Sequence, residues 1–126
     1  MKPGDTLPPL EKTFTPVDLF AYGAATWDWH RMHYDVEFAR SKGLAAPVID
    51  GQMYGALFAR VAMGWAGPRA FITRLSLRMK SMAYAGDTLR AVGTVTSVED
   101  NVIVLEQRLM RGEHVIAECT SSLSLR

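Results

Sequence analysis

Cysteine is almost missing from this chain of 126 residues: Cys119 stands alone, so no intrachain disulfide can form and a reducing compartment fits. An excess of charge of one sign is missing too. Fourteen basic residues face thirteen acidic ones, and a net charge of +1 leaves no electrostatic footprint for nucleic acid or an anionic membrane surface. No apolar run is long enough to cross a bilayer, since the richest, residues 51–65, is broken by Arg60 and by glycines. The opening Met1-Lys2-Pro3-Gly4-Asp5 is polar and lacks the apolar stretch of a secretory leader, so a cytoplasmic location is expected. Histidine is sparse, three in all, and no metal is expected. What remains is one domain, residues 1–126, large enough to bury a core without staples.

Residues 1–13 carry Pro3, Pro8 and Pro9 and read as an extended arm ending in an edge strand. Thr15-Pro16-Val17-Asp18 predicts a helix start: threonine caps, proline suits the first turn, and Asp18 favours the positive end of the dipole. Leu19, Phe20, Gly23 and Ala24 share one side, predicting a packed helix to about Thr26. Asp35 is placed to cap a short helix through Lys42, with Gly43 ending it. The segment 51–65 differs in kind. Arg60 is its only charge, and a helix apolar almost all round is one surrounded by protein. Its fifteen residues span about 22 Å, and Gly55, Ala56, Ala59 and Ala62 keep it thin enough for a sheet to approach.

After Pro68 the pattern changes to a period of two. Phe71, Thr73, Leu75, Leu77 and Met79 alternate with Ile72, Arg74, Ser76, Arg78 and Lys80, and Leu89, Ala91, Gly93 and Val95 repeat the pattern. Val115, Ala117, Cys119, Ser121, Leu123 and Leu125 predict the inner face of a last strand, where Cys119 is inert. Short turns at Gly86-Asp87, Glu99-Asp100-Asn101 and Arg111-Gly112-Glu113 suggest a meander of the last three or four strands. One long central helix wrapped by a curved antiparallel β-sheet is an α+β architecture. Such a sheet has open edges, and pairing with a second copy covers one, so at least a dimer is expected.

The chemistry is concentrated in Asp28-Trp29-His30-Arg31-Met32-His33-Tyr34-Asp35 and in Asp50-Gly51 at the head of the apolar helix. A carboxylate and an imidazole five positions apart can hold one water between an acceptor and a proton shuttle. Gly51 offers a bare backbone N–H at a helix N-terminus to a developing oxyanion. Tyr54 and Phe58, at helical spacing, read as core or as the lining of an acyl tunnel.

This arrangement resembles the MaoC-like branch of the hot-dog superfamily, a single hot-dog domain covering nearly the whole chain. The signature of that branch is Asp-x-Asn-Pro-x-His, a short helix with an acidic start ending in Gly, then His-Gly-Met opening the central helix. Asp28 and His33 match its catalytic pair, and Gly51, eighteen residues beyond His33, matches its oxyanion-hole glycine. His30 and Arg31 stand where Asn-Pro is usual, which leaves the loop without proline's fixed φ. Asp50 stands where histidine is usual. Its carboxylate either caps the helix or competes with a thioester oxygen for the same donors.

The resemblance implies an (R)-specific enoyl-CoA hydratase or 3-hydroxyacyl-thioester dehydratase, with Gly51, Asp50 and Tyr54 around the substrate. The substrate is then an acyl-CoA or acyl carrier protein thioester, and coenzyme A enters as part of it rather than as a cofactor. Trp65 to Pro68 and Tyr84 to Thr88 are similar to segments of small hydratase subunits in steroid side-chain breakdown, which implies a homodimer or a heteromer with a second MaoC-like chain. A hot-dog thioesterase is the competing class, but it resembles enzymes with a carboxylate on the central helix, and residues 52–65 contain none.

Overall fold

The computed structural model describes residues 1–126. After β1 (Leu10–Thr13) the chain enters α1 (Pro16–Thr26) through a capping box: Thr15 Oγ1 accepts from the Asp18 amide at 3.2 Å and Asp18 Oδ2 accepts from the Thr15 amide at 2.9 Å. The helix stops at Trp27, in the left-handed region at φ 59°, and the Asp28 amide folds back to donate to the Gly23 carbonyl at 2.9 Å. Gly23 is required there, because a Cβ would sit 2.8 Å from the Asp28 carbonyl oxygen. A 3₁₀ turn (Arg31–His33) and α2 (Val36–Ser41) follow, the latter capped by Asp35, whose Oδ1 accepts from the Phe38 amide at 3.0 Å.

The central helix α3 (Gly51–Ala66) packs Met53, Leu57, Phe58, Val61 and Ala62 onto the sheet. Burying each of the larger ones fully contributes about 1.5–3 kcal/mol. It is covered on one side only. Gln52, Ala56, Arg60 and Gly64, four apart, form an exposed stripe, so the expectation of a helix surrounded by protein is not met within one chain.

Four long strands complete the fold: β2 (Ala70–Met79), β3 (Thr88–Glu99), β4 (Val102–Arg111) and β5 (His114–Leu125). All neighbours pair antiparallel in the order β1-β3-β4-β5-β2. Only β3, β4 and β5 form the meander. β2 instead takes the far edge beside β5, because the loop after it passes the start of α3 and is tied there by Ile49 N–H to Ala83 O and Ala85 N–H to Pro47 O, both 2.9 Å.

Two details of β2 depart from its simple alternation. A bulge between Ile72 and Arg74 shifts the pleat, so Ile72 joins Ala70 toward the core while Phe71 faces out under Arg126. Beyond the bulge the side of the strand that faces α3 is also poorly covered, with Leu75 37 % and Met79 63 % exposed. Likewise Phe20, expected against the core from α1, is exposed, and Leu19 and Gly23 do the packing.

Candidate active site

The turn Arg31–His33 is held from behind by one short segment. The Val48 amide donates to the Met32 carbonyl at 2.8 Å, and the Val48 carbonyl lies 2.7 Å from His33 Nδ1. A carbonyl only accepts, so Nδ1 carries a proton and Nε2 is the ring nitrogen that faces Asp50. Asp28 hangs from the end of α1, its Oδ1 accepting from the His30 amide at 3.3 Å. His30 Nδ1 in turn accepts from the Met32 amide at 3.3 Å, which shapes the turn where proline would otherwise do so.

Asp50 does cap α3: its Oδ1 accepts from the Gln52 amide at 3.0 Å. Its Oδ2 is directed elsewhere, buried, without a hydrogen-bond donor, and 4.0 Å from His33 Nε2. Ligating atoms of Asp28, His33 and Asp50 all lie within 4.8 Å of one another, close enough to share a proton, a water or a cation. The sequence paired Asp28 with His33 and placed Asp50 either at the helix cap or at the thioester oxygen, since nothing in the spacing brings residue 50 back onto residue 28. Burial raises the Asp50 carboxyl above the ordinary aspartate range, and the Asp28 carboxyl beside it adds to the effect. Asp28 is lowered, first by the Asp50 carboxyl and then by the His30 amide.

Gly51 is the first residue of α3, so its N–H has no partner within the helix and points with the positive end of the dipole. Any Cβ at this position would run into the Met79 sulfur, with Met79 Cε at 3.2 Å. Gly51, His33 and Tyr54 share a cavity of about 370 Å³, walled by Val48, Ile49, Met32, Met79 and Met82, with Lys80 its only cation. Flexible methionines make such a wall adaptable. Tyr54 is buried, which pushes its hydroxyl up to about 12 and keeps it protonated. Phe58 lies deeper in the core, and Cys119, raised by burial to about 11, takes no part. A larger hollow of about 800 Å³ between the N-terminal arm and β3–β4 contains none of these groups.

One feature went unseen in the sequence. Phe20, Trp27, Trp29 and Tyr34 meet edge-to-face, at 5.6–6.2 Å between ring centres, in an exposed cluster beside Asp28. Five aromatics within fifteen residues, these four and Tyr22, were the available signal.

A curved sheet around one helix, with an imidazole and a helix-start glycine at one apolar cavity and an acid beside the imidazole, has the architecture of a hot-dog hydratase or dehydratase. The chain belongs to the MaoC-like dehydratase family: the sequence profile described as "MaoC like domain" matches residues 2–114. It is 33 % identical over 125 residues to the 3-oxo-4,17-pregnadiene-20-carboxyl-CoA hydratase beta subunit of Mycobacterium tuberculosis (strain ATCC 25618 / H37Rv), covering 98 % of this chain and 95 % of that one. It is 30 % identical over 89 residues to the mitochondrial 3-hydroxyacyl-[acyl-carrier-protein] dehydratase of Arabidopsis thaliana, covering 71 % of this chain and 52 % of that protein. Among solved structures it is similar to a chain of the ChsH1-ChsH2 complex from Mycobacterium tuberculosis, with a TM-score of 0.93, 29 % identity and 98 % of each chain covered.

Proposed function

We propose that this chain adds water across the double bond of a 2-enoyl thioester, or removes it in reverse, with coenzyme A as the carrier. The observation that carries the reading is the meeting of Asp28 with His33, where His33 and the unpaired amide of Gly51 share one apolar cavity. The thioester oxygen lies at the Gly51 N–H, in the field of the α3 N-terminus. Polarising it makes the β-carbon electrophilic and stabilises enolate character as water adds. The water gives its hydrogens to Asp28 and to His33 Nε2, which turns a lone pair toward the β-carbon. One of these groups takes a proton from the water as the hydroxide adds to the β-carbon, and returns that proton to the α-carbon on the same face, giving syn addition and an (R)-3-hydroxyacyl product.

The carrier is coenzyme A because the relative matched along its whole length acts on a CoA thioester, whereas the acyl carrier protein enzyme is matched over half of its own. Lys80, the cation at the cavity, supports a phosphate-bearing carrier. Wild-type protein should consume the absorbance of an enoyl-CoA without releasing free thiol. Thiol release would instead mean a thioesterase.

A second chain completes the molecule. β2 is an edge strand with Leu75 and Met79 exposed, next to the uncovered stripe of α3. The relatives include a hydratase named as a beta subunit and a two-protein complex. The partner is therefore a second MaoC-like chain, identical or not, and activity of the chain alone against activity after mixing separates the two cases.

A further inference from the structure

We propose that Asp50 is a positioning residue that carries a proton and donates it, as a hydrogen bond, to the carboxylate of Asp28. The proposal rests on the hydration reading above and gives that site a third participant.

Three side chains converge within 4.8 Å, and none holds Asp50 Oδ2 in a hydrogen bond. His33 Nδ1 is engaged by the Val48 carbonyl at 2.7 Å, so only Nε2 faces the two carboxyls. Asp28 is a carboxylate whose Oδ1 already accepts from the His30 amide. Asp50 is 8 % exposed, its Oδ1 is committed to the helix cap, and its Oδ2 is sealed from solvent without a partner. An ionised carboxylate left in this state costs far more than a neutral acid, which needs only one acceptor.

The neighbours offer no other remedy. His33 Nε2, even if protonated, stands 4.0 Å away, beyond hydrogen-bond length. The hydroxyls of Tyr22 and Tyr54, which burial keeps protonated, make no hydrogen bond to Asp50 Oδ2. His30 acts on Asp28 rather than on Asp50. A proton on Asp50 Oδ2 resolves all three: it satisfies the buried oxygen, keeps Asp28 charged, and leaves the remaining Asp28 lone pairs and His33 Nε2 to the water. The directions of the two carboxyls agree, Asp50 raised by burial and Asp28 lowered beside it.

Helix capping and proton donation separate by substitution. Asn and Ser cap a helix about as well as Asp, but only Asn keeps a donor at the position of Oδ2. Asp50→Asn should therefore keep kcat within about threefold. Asp50→Ser should lose about 10- to 100-fold in kcat, the worth of one hydrogen bond to a charged group, with KM and melting temperature unchanged. Equal loss in both variants would show that Asp50 works as a carboxylate, and wild-type rates in both would reduce it to a cap. Either result overturns the proposal.

A second readout does not depend on turnover. The infrared carbonyl stretch of a protonated carboxylic acid should be present in the wild type at neutral pH and absent from both variants. Its absence from the wild type also overturns the proposal. If the band is present but no enoyl thioester is hydrated, with or without a partner chain, the proton on Asp50 stands and the hydration reading falls.

Discussion

His33 shows how one backbone contact assigns a role to a side chain. Because the Val48 carbonyl takes Nδ1, Nε2 is the ring nitrogen presented to the site, and truncating the ring removes both. His33→Ala and Asp28→Asn should each lower hydration by about 10²–10⁴-fold, the usual contribution of an acid–base group, while circular dichroism and melting stay near wild type. Turnover close to wild type in either would reject the assignment. Gly51 makes a different prediction. Gly51→Ala folds, since Met79 is exposed and flexible, but the displaced thioether is pushed into the substrate cavity. kcat/KM for enoyl-CoA should fall, and adding Met79→Ala should restore most of it. The residue pattern made Asp28, His33 and Gly51 visible as candidates. The Asp50 contact was hidden, because it joins a helix end to a helix start through space rather than through spacing.

At the scale of elements, α1 exists to end in the right place. Its capping box stabilises the helix but lies at the opposite end from Asp28, so Thr15→Ala should cost about 1 kcal/mol of stability and leave kcat alone. Gly23→Ala should do the reverse in emphasis. Its Cβ meets the Asp28 carbonyl at 2.8 Å, a backbone atom that has to move, and Asp28 moves with it. Comparing denaturant midpoints with turnover for this pair tests whether α1 positions the acid. Helix starts, helix ends and strand alternation were legible here because caps and periods are local. The bulge in β2 was not, since it follows from pairing with β5, a partner some fifty residues away in the chain.

For the whole molecule, pH acts in two opposite directions. Asp50 ionises near 3.8 when unfolded but only at higher pH when folded, so its contribution is full below 3.8 and is lost as pH rises through the folded value. Asp50→Asn lacks that loss, and its stability relative to wild type should grow across this window and then level off in urea titrations. Asp18 and Asp35 are lowered, chiefly by the amides they cap, so what they contribute is present above 3.8 and fades as pH falls through their folded values. The open edge carries the remaining prediction. Leu75→Glu on β2 should leave the single chain folded and abolish its association, as read by sedimentation, because a charge would replace exposed apolar surface at an unpaired strand.

The one-dimensional pattern determined the elements, the α+β class and the three candidate positions, since hydrophobic period, capping residues and turn glycines all act over a few residues. It also determined that no helix is long and apolar enough to cross a membrane. Only the tertiary structure decided that β2 lies beside β5, that α3 is bare along one stripe, and that Asp50 joins Asp28 and His33. Those outcomes depend on which surfaces meet after the chain has turned back on itself, and burial without a partner, which changes the chemistry of Asp50, has no counterpart in a string of residues.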